Sequence, residues 1–212
     1  MTMLRHVTSR PAISAFVAAA LGSGALLALP PAGQATDIKA VVAEIKTASE
    51  RFTDVKVALA EGYIPDPTGA CVTAEMEGQP AEKGAMGIHY FRPDLLGITA
   101  TQPRVDGTGT HTDYLNPGVL IYEPQADGSL ELVAVENLVF EKSWKTGNDA
   151  PPNSFGFDWY HMVNDPTTEV DEAHGFQPHY ELHAWVFRDN PNGPFEPFNP
   201  ASTCEHHKGG MD

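Results

Sequence analysis

Basic residues are scarce in this chain, which has 13 Lys and Arg against 28 Asp and Glu and a formal net charge of −15. Binding to phosphate needs clustered Lys and Arg, and the sequence has no such cluster. The composition therefore argues against nucleic acid and anionic lipid as partners. An acidic surface favours solubility and attracts cations, but it carries no information about the fold.

Several familiar catalytic signatures are also missing. The sequence has no CxxC pair, no GxSxG, no P-loop and no GxGxxG after a strand. HExxH is absent too, because the segment HYELH places its glutamate in the wrong position for a zinc protease. Redox dithiol, serine hydrolase, nucleotide-binding and zinc-protease chemistry therefore have no support here.

The chain has only two cysteines, Cys71 and Cys204. In an oxidising compartment a lone pair is most simply a disulfide. The bond would close a loop of more than a hundred residues, worth roughly 4–5 kcal/mol in the chain-entropy model. A redox pair or a pair of metal ligands is the alternative.

The N-terminal segment has the pattern of a secretory signal peptide. Arg5 and Arg10 precede an apolar run over residues 12–29, and small residues lead to Ala35. A retained membrane anchor is the alternative, but the run is short and broken by glycines. Cleavage after residue 35 would leave 177 residues with a charge of about −17, because the removed part has two Arg and no acids. We expect export to the periplasm or the exterior, with no membrane insertion after cleavage.

The remaining pattern predicts an α+β domain over residues 36–204, with a flexible tail at 205–212. N-terminal helices would pack on a mainly antiparallel sheet, which could be curved or barrel-like. Helical spacing of apolar residues, a capping Asp37 and a stop at Gly62 predict helices at 37–50 and 53–61. Alternation and β-branched composition predict strands at 88–91, 119–123, 130–140 and 179–187. The stretches 92–117 and 143–178 lack periodicity; the first is long enough to be functional or to contain short elements.

The strand HYELHAWVF, residues 179–187, carries an unusual face. Side chains alternate along a strand, so His179, Glu181 and His183 share one face with Trp185 and Phe187. The opposite face, which begins with Tyr180, is apolar. His179 and His183 are about 13 Å apart in a strand, too far for both to bind one ion, whereas neighbours two apart can share one.

Two more polar residues interrupt apolar strands. His89 lies in MGIHYF, and Glu136 lies in LVAVENLVF on the face of Leu132, Ala134 and Leu138. A buried carboxylate is costly unless it is paired, protonated or bound to a cation. We therefore predict that His89, Glu136 and His183 converge in one pocket, with Glu181 or Tyr180 nearby. Two histidines and a carboxylate suit zinc or non-haem iron.

A purely structural role for these residues is the alternative. The buried polar side chains could form only a satisfied hydrogen-bond network, and Glu136 could pair with Arg188 or Lys142. His111, His161 and His174 lie in predicted loops, where solvation is the simpler expectation, and His206 and His207 lie in the tail. The function would be binding of a metal ion or small ligand, or, by analogy with cupins, metal-dependent catalysis with Tyr180 or a carboxylate managing protons.

Four segments of the sequence, taken in order, resemble a family of exported bacterial proteins to which no activity is attached. They are GYIPDPTGAC, AMGIHYF, PGVLIYEPQADGSLELVAVENLVF and HYELHAWVFRDNPNGPFEPFNPASTC. The resemblance covers residues 52–204, and its MGIHY and YELHAW motifs carry His89, Tyr180, Glu181 and His183. It implies a secreted single domain and no particular chemistry. The family pattern often has an apolar residue where this chain has His179, which places His179 outside any shared site.

Overall fold

The structure is a computed structural model that describes residues 36–209. The predicted signal peptide and the last three residues of the predicted tail lie outside this range. Among the described residues, none of the helices has the length and apolar character needed to cross a membrane.

Two N-terminal helices form where the sequence predicts them. Helix α1 spans Ile38–Ser49, and the Asp37 side chain caps it by accepting from two backbone N–H groups. A 3₁₀ turn at Glu50–Thr53 separates it from α2, Val55–Ala60, which Asp54 caps by accepting from the N–H of Lys56. The helical prediction is confirmed. Two further helices of four residues each, α3 (Pro93–Leu96) and α4 (Glu141–Trp144), were not predicted.

Eleven strands occur in the described part of the chain. They are β1 (Ile64–Pro65), β2 (Cys71–Thr73), β3 (Ala85–Phe91), β4 (Ile98–Ala100), β5 (Asp106–Gly107), β6 (Val119–Pro124), β7 (Leu130–Phe140), β8 (Asn153–Ser154), β9 (Phe157–Asp158), β10 (Tyr160–Met162) and β11 (His179–Ala184). All four predicted strands are present, but the strand predicted over 179–187 ends at Ala184, and Phe187 packs on the helix-side core instead of sharing the face of His179. The remaining strands are two or three residues long, too short for a periodic signal.

The main sheet has the order β1-β3-β6-β7-β11-β10, with β2 also paired to β3, and every pairing is antiparallel. This confirms the α+β class and the antiparallel sheet. The barrel-like alternative is wrong, because the sheet stays open. Closing a barrel requires pairing all the way around, and the edge strands β1 and β10 have only two and three residues.

The helices cover one face of the sheet, which we call the helix face. Its largest side chains are fully buried, and helix residues such as Ile45 and Phe52 pack on them. Burying an aliphatic or aromatic side chain contributes about 1.5–3 kcal/mol, so this layer is the main source of stability. The sheet residues of this core are Leu120, Tyr122, Leu132, Val135, Val139, Tyr180, Leu182 and Ala184.

The opposite face is covered by loops, and we call it the loop face. Its apolar part includes Leu96 of α3, Val105 and Phe176 from loops, and Trp185. Ala134 and Leu138 of β7 lie on this face as predicted, but Leu132 lies on the helix face. The reason is a β-bulge: Ile121 pairs with Ala134 and Tyr122 with Leu132, so Val133 is an extra residue that reverses the alternation.

The predicted disulfide between Cys71 and Cys204 is present, with Cα atoms 5.8 Å apart. It joins β2 to the C-terminal coil across 133 residues. Arg188 adds a second tie, because its guanidinium bonds the buried Glu123 and the carbonyl of Ala201. The disulfide is compatible with an oxidising, exported location.

Candidate metal centre

The three residues predicted to converge do so on the loop face. His183 of β11 lies directly opposite Glu136 of β7 in the strand register. Glu136 Oε2 is 3.4 Å from His89 Nε2 and 3.5 Å from His183 Nε2. One ligand atom from each residue lies within 4.8 Å of the others, so all three could hold one ion. We call this trio the first group.

The glycine in the MGIHY motif allows β3 to bring His89 to this position. Gly87 has φ +124°, a backbone conformation that other residues rarely adopt. A Cβ at this position would lie 2.7 Å from the carbonyl oxygen of Tyr122 on β6, well inside van der Waals contact. The close approach of the two strands therefore requires glycine two residues before His89.

A second group lies beside the first and consists of His174, His179 and Glu181. Glu181 Oε2 is 3.1 Å from His179 Nε2 and 3.6 Å from His174 Nε2. These three ligand atoms also lie within 4.8 Å of one another. The other carboxylate oxygen of Glu181 is 3.9 Å from His183 Nδ1, so this residue stands between the two groups.

Segments outside the strands contribute His174 and Glu77, which together with the five strand residues of the two groups form what we call the cluster. His174 has φ +35° and is held in a tight turn, because the Asp171 carboxylate accepts from the N–H groups of Ala173 and Gly175. Arg104 in turn bonds Asp171. Glu77 ends a 3₁₀ turn, Ala74–Glu77, and its Oε1 is 3.7 Å from His174 Nε2.

The cluster leaves many buried polar atoms without a hydrogen-bond partner among residues 36–209. They are Glu77 Oε1, His89 Nε2, Glu136 Oε2, His174 Nε2, Glu181 Oε1, and both ring nitrogens of His183. An unsatisfied buried polar group costs about 1–3 kcal/mol, and more when it is charged. Such a concentration is unusual in a folded protein, where most buried polar atoms are paired. The protein's own groups therefore do not satisfy this site.

The pKa values of the three buried carboxyl groups shift in different directions. Burial raises the pKa of Glu77 to about 8 and that of Glu136 to about 7, although nearby histidines oppose the shift. Burial acts on Glu181 in the same sense, but His174 and His179 outweigh it and hold its pKa well below the usual range. Glu181 is thus the carboxylate that stays ionised.

The buried histidines also differ in the direction of their pKa shifts. Burial lowers the pKa of His89 to about 4, and it also lowers the pKa of His183. Both rings are therefore neutral at pH 7, the form that binds metal. Burial also disfavours charge on His174, but the Glu181 carboxylate outweighs it and raises the pKa to about 9.

The remaining residues that the sequence offered for a site lie elsewhere. Tyr180 is on the helix face, where its ring stacks on His161 at 4.6 Å, so the structure does not bring it to the cluster. Arg188 pairs with Glu123 and Glu131, not with Glu136. His161 belongs to β10 and is half exposed, and His111 bonds the carbonyl of Asn116.

His174 and Glu77 are the two members that the sequence did not point to. The prediction that His174 is solvated is wrong, since only 11% of its side chain is exposed. Both residues come from segments without periodicity, so no alternation marks them as buried. His179 and His183 fall into different groups, as their spacing along the strand predicted.

A cavity of about 150 Å³ reaches the cluster at His174. Its wall includes Asp66, Met76, Asp171 and Gly175. His174 is the member of the second group that lines this cavity, and none of the first group does. An ion or small molecule in the cavity would therefore contact the cluster at His174.

Chemically, the cluster offers imidazole nitrogens and carboxylate oxygens in a buried setting. Such donors suit zinc, iron and other borderline divalent metals, and they can also move protons. Comparisons with protein-family models, with curated proteins and with solved structures find no match for this chain. Function is therefore inferred from the chemistry of the site itself.

Proposed function

We propose that this protein is an exported metal-binding protein whose first group, His89, Glu136 and His183, binds one divalent transition ion such as zinc or iron. The supporting observation is the set of ligand atoms within 4.8 Å that have no other partner in the described chain. A cation between them would satisfy both histidines and the carboxylate at once.

The geometry fits a metal better than a hydrogen-bond network. Glu136 Oε2 is 3.4–3.5 Å from the two histidine nitrogens, beyond the usual 2.7–3.2 Å for an N–H···O bond. Atoms bound to one ion at about 2.0–2.2 Å are separated by distances of this size. The same close spacing favours a metal over a small organic ligand, which would need more room than the first group leaves.

The test is the metal content of the full chain, purified without an affinity tag. Wild type, Glu136→Gln and His183→Gln are dialysed against zinc or iron(II), and the retained metal is measured by mass spectrometry. We expect wild type to retain at least one equivalent. Each variant should bind the first ion at least about 100-fold more weakly, because one of three ligands is lost.

Matched controls come from residues of the same type outside the cluster. Glu123→Gln removes a buried glutamate that pairs with Arg188, and His161→Gln removes a half-exposed histidine. Both should retain as much metal as wild type. Wild type that folds but retains no zinc, iron, copper or manganese would overturn the proposal, and so would full retention by Glu136→Gln and His183→Gln.

A metal-dependent enzyme is the second candidate, and the cavity at His174 favours it. Three protein ligands leave coordination positions open, and Glu181 and His174 could manage protons nearby. The likeness to cupins is now limited to the ligand types, because the sheet is open. Azide added to cobalt-loaded protein should alter the visible spectrum if a position is open, and an unchanged spectrum would count against catalysis.

A further inference from the structure

We infer that the second group, His174, His179 and Glu181, binds a second divalent ion, so that the cluster is a two-metal centre. This inference rests on the proposed function of the first group. Its own evidence comes from the contacts of three different elements: β11, the loop that carries His174, and the turn that carries Glu77.

The orientation of His179 is the first step. Its Nδ1 is 2.9 Å from the carbonyl oxygen of Gln177, which can only accept, so Nδ1 carries a proton that it donates. In a neutral ring the lone pair is then on Nε2, which faces Glu181 Oε2 at 3.1 Å. Two acceptors then face each other, and a cation between them would satisfy both. A ring fixed by a backbone carbonyl in this manner is the usual arrangement of a metal-binding histidine.

Glu77 is the second and independent step. It is 4% exposed, its Oε1 has no hydrogen-bond partner in residues 36–209, and that atom lies 3.7 Å from His174 Nε2. It therefore contacts the second group at His174 from an element other than β11. Glu77 thus adds a second carboxylate beside the three ligand atoms of the second group, on the side of His174.

The cavity supplies a path for the ion. It ends at His174, and its wall carries Asp66 and Asp171. Asp171 is paired with Arg104, while Asp66 is 6% exposed and its side chain accepts from the N–H of Thr68. The acidic wall attracts cations, in keeping with the acidic chain as a whole.

A single ion with a protonated second group is the rival arrangement. A protonated His174 would also satisfy Glu181, without a second metal. The number of ions bound per chain distinguishes the two arrangements, because the rival takes one ion and the two-metal centre takes two.

The experiment measures cobalt(II) bound per folded chain at saturation, by equilibrium dialysis and elemental analysis. The background is a full chain with His206→Gln and His207→Gln, so that the C-terminal histidines cannot add binding. We expect two equivalents in this background, one in His174→Gln and in Glu77→Gln, and two in the His161→Gln control. Electron paramagnetic resonance should show coupling between the ions only at two equivalents.

Each outcome has a separate meaning. If the parent chain binds one equivalent of cobalt, the inference of a second ion is overturned and the proposal for the first group stands, especially if Glu136→Gln then binds none. Two equivalents that survive both His174→Gln and Glu77→Gln overturn the location. No binding at all overturns the proposed function as well. Circular dichroism on every variant establishes that it is folded, and Glu77→Gln provides the test should His174→Gln fail to fold.

Discussion

The two faces of the sheet treat buried polar groups in opposite ways. On the helix face, three buried tyrosines each donate a hydrogen bond to a backbone carbonyl: Tyr63 to Pro117 at 2.6 Å, Tyr114 to Leu182 at 2.7 Å and Tyr122 to Phe52 at 2.7 Å. On the loop face, the cluster of histidines and glutamates has seven buried atoms without a partner in the described chain. The same strands build both faces.

Seven of the eleven buried side-chain atoms without a partner in residues 36–209 belong to this cluster; the other four are Ser49 Oγ, Asn137 Nδ2, Ser202 Oγ and His207 Nε2. The tyrosine hydrogen bonds of the helix face are short and join residues far apart in the sequence, so tertiary contacts place the carbonyls that accept them. Unsatisfied atoms are therefore concentrated at one site. Unsatisfied buried atoms lower the stability of the fold. Such a loss is typical of a functional site, where a bound ligand restores the stability.

The largest change in stability should come from a substitution on the helix face. Leu182→Ala removes a side chain that is 1% exposed, and the cavity should lower the free energy of unfolding by about 2–5 kcal/mol. Metal retention should be unchanged, because Leu182 faces away from Glu181 and His183. Urea denaturation and metal analysis on the same sample measure both. Loss of metal from folded Leu182→Ala would show that the two faces are coupled.

Removal of metal from the loop face should cause the next largest loss of stability. An ion that binds only the folded state, present at 100 times its dissociation constant, adds about 2.7 kcal/mol. For a chain of this size, chelation should therefore lower Tm by roughly 5–10 °C. Scanning calorimetry before and after dialysis against EDTA measures the shift. Glu136→Gln should show a smaller shift, because only the second group can then bind an ion, and a shift equal to that of wild type would place the first ion elsewhere.

The smallest expected changes in stability compare the two faces most directly. They are measured on metal-free protein, with one variant on each face. Tyr122→Phe should lower the free energy of unfolding by about 0.5–1.5 kcal/mol, because it removes a satisfied hydrogen bond. His183→Gln should change it by less than about 0.5 kcal/mol, because neither ring nitrogen has a bond to lose. Chemical denaturation of both variants in EDTA tests the difference. A loss of about 1 kcal/mol or more in metal-free His183→Gln would favour the hydrogen-bond network.

Part of the candidate site was predictable because it lies on periodic elements. His89, Glu136 and His183 interrupt apolar strands, and alternation alone assigns Glu181 to the face of His183. Alternation also assigns Tyr180 to the other face, where the structure has it. His174 and Glu77 were not predictable, because the segments that carry them have no repeat from which burial could be inferred.

The sequence by itself determined the class of the fold, the helices, the four long strands and the disulfide, because these depend on local spacing and on a lone cysteine pair. Tertiary structure decided the open sheet, the bulge at Val133 and the meeting of seven ionisable residues under one set of loops. The physical reason is that strand order and loop placement depend on contacts between residues far apart in the chain. No local pattern records those contacts, and the proposed metal centre is built from them.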